Sequence, residues 1–280
     1  MFWKKLLHKA PVLTAEEVRD YMADHPAESY QLLDVRQPGE YQEKHLPGAK
    51  LVPVGELEGR LDELDPGKPV ITYCAVGGRS RAAAQLLAGR GFAEVYNLAG
   101  GIKAWQERTA AGPQEWGLDL APTGQGPAAV LRVAARLERG LQEFYGEVSR
   151  RTEDEGLRKL SQRLGAWEHK HLERLRGLFE ALPAAERGSA PLWEEDRPVL
   201  MEGGYRLADF LEASGTAAGE EGPHWLLDLA LALETQSLDL YLRLADHTDR
   251  ADEKEVFQGV AAEERQHLTA LSELYDQLSA

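Results

Sequence analysis

The sequence predicts two fold classes in series: a layered α/β domain with a parallel sheet, then an all-α four-helix bundle. Three observations carry this. Short apolar runs alternate with helical stretches up to about residue 110. A Gly/Pro-rich segment follows, GPQEWGLDLAPTGQGP at 112–127, with three prolines and four glycines in 16 residues. Beyond it the chain is Ala/Leu/Glu/Arg-rich with helical period. The predicted boundaries are 1–112 for the first domain, 113–126 for a linker and 127–280 for the bundle. A length of 280 residues suits two domains at about 100–200 residues each.

In the first domain, Thr14 and Glu17 read as a capping box opening a helix. QLLDVR (31–36) reads as a buried strand running into a turn at Gln37-Pro38-Gly39, and VITYC (70–74) as a second strand. SRAAAQLLAGRGF (80–92) is a helix stopped by Gly89 or Gly91, and VYNL (95–98) a third strand before Gly100-Gly101 and a helix through Trp105. In the second domain, helices are expected near 127–151, 154–182, 223–247 and 251–279. They form two hairpins joined by a long crossover, 183–222, with a short helix around Leu207–Leu211.

The formal net charge is −15, from 32 basic and 47 acidic residues. Residues 1–112 carry 14 basic and 15 acidic groups, whereas 113–280 carry 18 and 32. The acidity thus belongs to the helical half, and general nucleic-acid binding is excluded as a function class. No stretch approaches the roughly 18 apolar residues of a membrane helix, so no stable membrane insertion is expected. The start, MFWKKLLHKAPVL, lacks the apolar core of a secretory signal. Cys74 is the single cysteine. It excludes an intrachain disulfide, a four-cysteine metal site and a CxxC pair, and suits a reducing cytoplasm.

Cys74 opens the loop CAVGGRS (74–80) between a buried strand and a helix. That geometry aims backbone N–H groups and the positive helix end at one point. Gly77 and Gly78 permit the turn and Arg79 adds a cation, so a thiolate with a lowered pKa is expected. Here the residues resemble the rhodanese-type sulfurtransferases, whose active loop reads Cys-x-x-Gly-x-Arg-Ser. LLDVR (32–36), GEY (39–41), HLPGA (45–49) and NLAGGIKAW (97–105) follow in the family order, over roughly 11–108. The six-residue span from Cys74 to Arg79 resembles sulfur-transferring members rather than the related phosphatases. The resemblance implies double displacement. Cys74 takes sulfane sulfur from a donor such as thiosulfate, becomes a persulfide, and passes the sulfur to a thiol or another thiophilic acceptor. Arg79 acts with Cys74; Ala75, Val76, Gly77, Gly78 and Ser80, with Arg36, hold the substrate. Asp34 and His45 are expected to be structural.

The helical half contains a spacing repeat. Glu138, Tyr145, Glu168 and His171 recur as Glu234, Tyr241, Glu264 and His267, each 96 residues later. Residues three apart share a helix face. One Glu from each of two helices plus Glu-x-x-His from each of the others is the di-iron or di-manganese arrangement of four-helix bundles. The expected cofactor is two iron ions per chain, with manganese or zinc also compatible, and no organic cofactor is evident. Tyr145 and Tyr241 lie two turns on and are expected to bond the ligating carboxylates. Glu221-Gly222-Pro223-His224 has the same local spacing but no matching partner thirty residues upstream, and His169 and His247 are read as surface residues.

Over about 127–280 the chain resembles the rubrerythrin-like members of the ferritin-like family. It lacks their cysteine-rich rubredoxin module, and Ser237 stands where rubrerythrin has a further Glu. The resemblance implies peroxide, oxygen or iron-oxidation chemistry with an external electron donor, and a homodimer. The alternative is a persulfide carrier or a redox or iron sensor, in which the bundle binds iron or drives oligomerisation without turnover.

Overall fold

The computed structural model describes residues 10–120, 123–193, 201 and 222–279. The chain divides into two compact units after Trp116.

The first unit is built on a five-stranded sheet. Its strands are β1 (Val12–Leu13), β2 (Gln31–Asp34), β3 (Lys50–Leu51), β4 (Val70–Tyr73) and β5 (Val95–Leu98). All pairings are parallel, in the order β1-β5-β4-β2-β3. The helices are α1 (Ala15–Asp24), α2 (Pro38–Glu43) and α3 (Gly78–Gly89). The expected capping box is present on α1: Glu17 N donates to Thr14 Oγ1 at 3.2 Å, and Thr14 N to Glu17 Oε2 at 2.7 Å.

Both sheet faces are buried, as parallel sheets require. Leu33, Val70 and Cys74 pack on one side with Ala83, Ala84 and Leu87 of α3. Leu32, Ile71 and Tyr73 pack on the other with Val18, Tyr41 and Leu98. Asp34 pairs with Tyr73 in register. The ends of β2 and β4 therefore release residues 35–36 and Cys74 at the same carboxyl edge, where α/β sheets place their ligands.

Three local expectations change. Gln37-Pro38-Gly39 starts a helix rather than a turn, because Pro38 occupies a first-turn position where its missing N–H costs nothing. The helix expected through Trp105 is a single 3₁₀ turn at Gly101–Lys103. The two-residue edge strands β1 and β3 are too short to leave an alternation in the sequence.

The second unit holds α4 (Pro127–Arg151), α5 (Glu155–Ala181), a short α6 (Ala184–Arg187), α7 (Pro223–His247) and α8 (Ala251–Ser279). Helices α4 and α5 pack as one hairpin and α7 and α8 as another, with further packing of α4 on α8 and α5 on α7. Asp154 caps α5 by accepting from Leu157 N at 2.6 Å. The expected helix around Leu207–Leu211 and most of the crossover lie outside the described residues.

The division after Trp116 falls inside the segment 113–126, and described residues on either side of it pack with their own unit. Gln114 Oε1 accepts from Leu51 N at 3.0 Å within the first unit. Leu118 and Leu120 pack on the helical core, and Glu253 accepts from Gly124 N at 3.0 Å and Gly126 N at 2.5 Å.

The helical core is layered. One apolar cluster takes α4 up to Leu137, α5 from Leu172, α7 from Leu238 and α8 up to Ala261. The other takes α4 from Leu141, α5 up to Leu164, α7 up to Leu233 and α8 from Leu271. Each helix crosses a polar layer between them, at Glu138, at Glu168 and His171, at Glu234, and at Glu264 and His267. No described helix is long and apolar enough to cross a membrane.

Candidate functional site

Cys74 follows β4 directly and is 1% exposed. Its Sγ accepts from Gly77 N at 3.1 Å and from the Ser80 hydroxyl at 3.5 Å. Gly77 has φ of +92° and caps α3, so the loop turns back over the sulfur. Behind it, the turn after β5 fixes the loop: Ile102 N donates to Cys74 O at 2.8 Å and Lys103 N to Ala75 O at 3.2 Å. Gly101, at φ +59°, has no room for a side chain, since a Cβ would lie 2.2 Å from Cys74 O.

Burial pushes the Cys74 thiol up, but the Ser80 hydroxyl and the N–H groups of Ser80, Val76 and Gly77 outweigh it, and its pKa falls below the usual thiol value. The expected direction therefore appears with a different main cause. Neutral donors lead in lowering it, and Arg79 acts on Cys74 as well while pairing with Glu40. Its Nη1 and Nη2 each donate to Glu40 at 2.7 Å, a two-pronged pair. Glu40, absent from the expected site residues, is held down to about 2 by that pairing. The only trace it leaves in the sequence is its place in GEY.

Ala75 is half-buried, Val76 and Gly78 exposed, and Ser80 buried. Arg36 requires correction as a substrate contact. It is 3% exposed, and its guanidinium donates to both Asp34 oxygens, at 2.9 and 2.6 Å, and to Lys44 O at 2.6 Å. These bonds commit it to bracing the end of β2. His45 is buried, stacked on Tyr41 at 3.7 Å, with Nδ1 2.9 Å from Tyr41 O, a packing role.

A family model described as the rhodanese-like domain matches residues 14–108. The chain is 37% identical over 75 residues to a thiosulfate sulfurtransferase, GlpE, of Coxiella burnetii, over 70% of that protein and 27% of this chain. The chain belongs to the rhodanese-like family. It is also 45% identical over 75 residues to an uncharacterized protein, YqhL, of Bacillus subtilis, and 38% over 82 residues to a putative sulfur carrier protein, YrkF, of the same species. It spans 60% and 44% of those two relatives, and the matches take 27% and 29% of this chain. A crystal structure of a rhodanese-like domain protein from Staphylococcus aureus aligns with TM-score 0.34 and 25% identity, over 36% of this chain and 97% of that one. The rhodanese-like domain thus occupies the first unit, and the helical unit lies beyond the residues its family model matches.

In the helical unit, the six Glu and His residues of the spacing repeat meet in the polar layer. Glu138, Glu168 and His171 each offer a ligand atom within 4.8 Å of the others, and so do Glu234, Glu264 and His267. His171 Nδ1 lies 3.1 Å from Glu168 Oε2 and 3.6 Å from Glu138 Oε2. His267 Nδ1 lies 3.2 Å from Glu234 Oε2 and 3.4 Å from Glu264 Oε2. All four carboxylates are exposed by 2% or less. Burial pushes the His267 imidazole down, but Glu234 more than compensates and its pKa is raised. Glu138 Oε2 has no hydrogen-bond partner among the described residues. A buried carboxylate oxygen in that state is costly, and a cation would satisfy it. The donor set fits iron, manganese or zinc.

Tyr145 and Tyr241 are both fully buried, one in each apolar cluster, so they flank the polar layer from opposite ends. Glu263 was not foreseen. It is 6% exposed, its carboxyl is pushed up by burial, and it pairs with Arg174 at 2.9 Å beside the layer. It has no counterpart in the repeat, since the matching position is Trp167. His169 and His247 are exposed. Glu221 of the decoy spacing lies outside the described residues.

Proposed function

We propose that the chain is a rhodanese-type sulfurtransferase fused to a ferritin-like, rubrerythrin-like unit that holds a metal pair. The observation that carries the first part is the cradle at Cys74. The thiolate attacks the outer sulfur of a donor such as thiosulfate. The new S–S bond forms as the donor's own breaks, and the bonding pair leaves with the departing group, sulfite in that case. The loop N–H groups and the Ser80 hydroxyl take up the charge of the persulfide, and a thiol or other thiophile then removes the outer sulfur. The test is thiosulfate:cyanide sulfur transfer. Turnover is expected in the wild type and not in Cys74→Ala; undiminished turnover in Cys74→Ala overturns the reading.

The second part rests on the two Glu-Glu-His groups in one buried layer. Glu138, Glu168 and His171 would hold one side of a metal pair, and Glu234, Glu264 and His267 the other. Bound iron would supply redox chemistry toward peroxide, oxygen or ferrous iron. The two apolar clusters keep water from the layer, and Tyr145 and Tyr241 flank it as groups able to donate hydrogen bonds. With a single cysteine in the chain, electrons and the sulfur acceptor come from outside. A cytoplasmic location and a homodimer complete the proposal. Elemental analysis alongside the optical spectrum tests it: about two metals per chain are expected.

The likeness to a putative sulfur carrier favours one second reading, in which Cys74 carries persulfide stoichiometrically without turnover. Persulfide formation with no multiple turnover on any acceptor would select it.

A further inference from the structure

We infer that Glu263 and Arg174 form the port through which a divalent cation enters the Glu-Glu-His layer, with Glu263 as the carboxylate that receives the cation and Arg174 as the counter-ion that occupies it until then. The inference rests on the metal pair proposed for the helical unit and names its way in.

Of the six layer residues, the four glutamates have side chains exposed by 3% or less, whereas His171 is 18% and His267 11% exposed. The layer therefore comes nearest to water at its two imidazoles, which meet between α5 and α8. Arg174 lies three residues after His171 and Glu263 four before His267, so each shares a helix face with its histidine. The two helices run in opposite directions, since the same apolar cluster takes the second half of α5 and the first half of α8. Arg174 and Glu263 thus meet one turn from the imidazoles, Nε to Oε1 at 2.9 Å. Glu263 is close enough to Glu138, His171 and His267 for each to act on its charge. Farther in, Glu138 Oε2 is buried without a hydrogen-bond partner among the described residues. An incoming cation therefore meets carboxylate oxygen at the port and again inside. The position that matches 263 in the other half is Trp167, whose ring packs on the second apolar cluster with Arg163 over it at 5.2 Å. That half offers no carboxylate there.

A carboxylate as buried as Glu263 is costly to hold ionised without a cation, and Arg174 supplies one. Arg174 is itself 60% exposed, so its guanidinium is largely hydrated and can swing into solvent at little cost. A divalent cation brings twice the charge and a preference for oxygen ligands, and so displaces it. Four carboxylates and two imidazoles then bind the cation more strongly than the single carboxylate of the port, which gives the transit its direction. The acidic surplus of the helical half draws cations toward this face from solution.

The experiment follows cobalt(II) uptake by the full-length apoprotein in stopped flow, reading the visible absorption of the bound ion, with the final metal content taken by elemental analysis. Glu263→Gln is expected to load about tenfold more slowly than wild type, the lower end of what a focused charge does to an association rate, and to reach the same content. Arg174→Gln, which changes an exposed side chain, is expected to load faster, again to the same content. Added salt should slow the wild type more than Glu263→Gln. Equal loading rates in wild type and Glu263→Gln, a lower final content in that variant, or an Arg174→Gln variant that loads no faster overturns the inference. Arg174→Gln decides even if Glu263→Gln fails to fold. A wild type that binds no cobalt overturns the underlying metal pair instead.

Discussion

The imidazole rings of His171 and His267 stack face to face, with centroids 3.5 Å apart and planes 9° from parallel. One ring comes from the α4–α5 hairpin and the other from α7–α8, so this contact joins the two Glu-Glu-His groups into one layer. Removing one member from each group should dismantle the site. Glu168→Ala combined with His267→Ala is expected to lose most of the bound metal, read by elemental analysis of the purified protein. Full metal content in that variant would contradict the ligand assignment.

Metal removal should also weaken the helical unit. Without a cation, four nearly fully buried carboxylates share a space between two apolar clusters, an arrangement costly to ionise. Chelation is expected to lower the thermal midpoint of the unfolding step assigned to the helices, and ferrous, manganous or zinc ions to restore it. Calorimetry with and without chelator measures both.

The cradle at Cys74 makes a pH-dependent prediction. Its thiol pKa is lowered chiefly by the Ser80 hydroxyl, acting against burial. The alkylation rate should therefore rise with pH through a midpoint below that of ordinary cysteine. In Ser80→Ala that midpoint should move upward and alkylation near neutrality should slow. Mass spectrometry of iodoacetamide-treated protein follows both. An unchanged midpoint in Ser80→Ala would assign the lowering to the backbone N–H groups and Arg79.

Glu40 contributes to acid sensitivity with a definite sign. Its folded pKa, about 2, lies below the ordinary 4.5 because Arg79 donates two hydrogen bonds to the ionised form. The stability it contributes is present above 4.5 and is lost as pH falls through the window down to about 2. Glu40→Gln should flatten the stability profile of the first unit in that window, measured by urea unfolding across pH.

Two substitutions probe the scaffold. Asp34→Ala leaves Arg36 buried without its counterion, at a cost of about 3–5 kcal/mol. Gly101→Ala drives a Cβ into Cys74 O and forces a left-handed backbone on alanine. It should cost about 1–3 kcal/mol and remove sulfur transfer by shifting the loop. Urea unfolding gives the first, and unfolding with the thiosulfate assay the second.

Much of this was legible in the sequence because its signals are local and periodic. VYNL and the helices at 127–151 and 223–247 appear with the bounds expected of them, since turn residues and helical period mark both ends. The six residues of the polar layer were legible because the pattern occurs twice. The role of Arg79 was not, because its partner lies 39 residues away and only the fold brings Glu40 to it. Arg36 misled for the same reason: a loop arginine and a buried arginine tied to Asp34 look alike in one dimension. The boundary after Trp116 falls inside the segment 113–126 that its Gly/Pro content marks, while the packing of Gln114 and Leu118 is not reported by composition.

Each helical hairpin carries a complete Glu-Glu-His group, and the residues joining the hairpins contribute none of the six side chains. The Glu-Glu-His pattern is thus written twice, once in each hairpin. Two copies of one hairpin, meeting without a covalent link, would already contain all six of these side chains. The residues within each half are close in sequence, so each can organise early in folding, and only their meeting waits for the slower long-range closure.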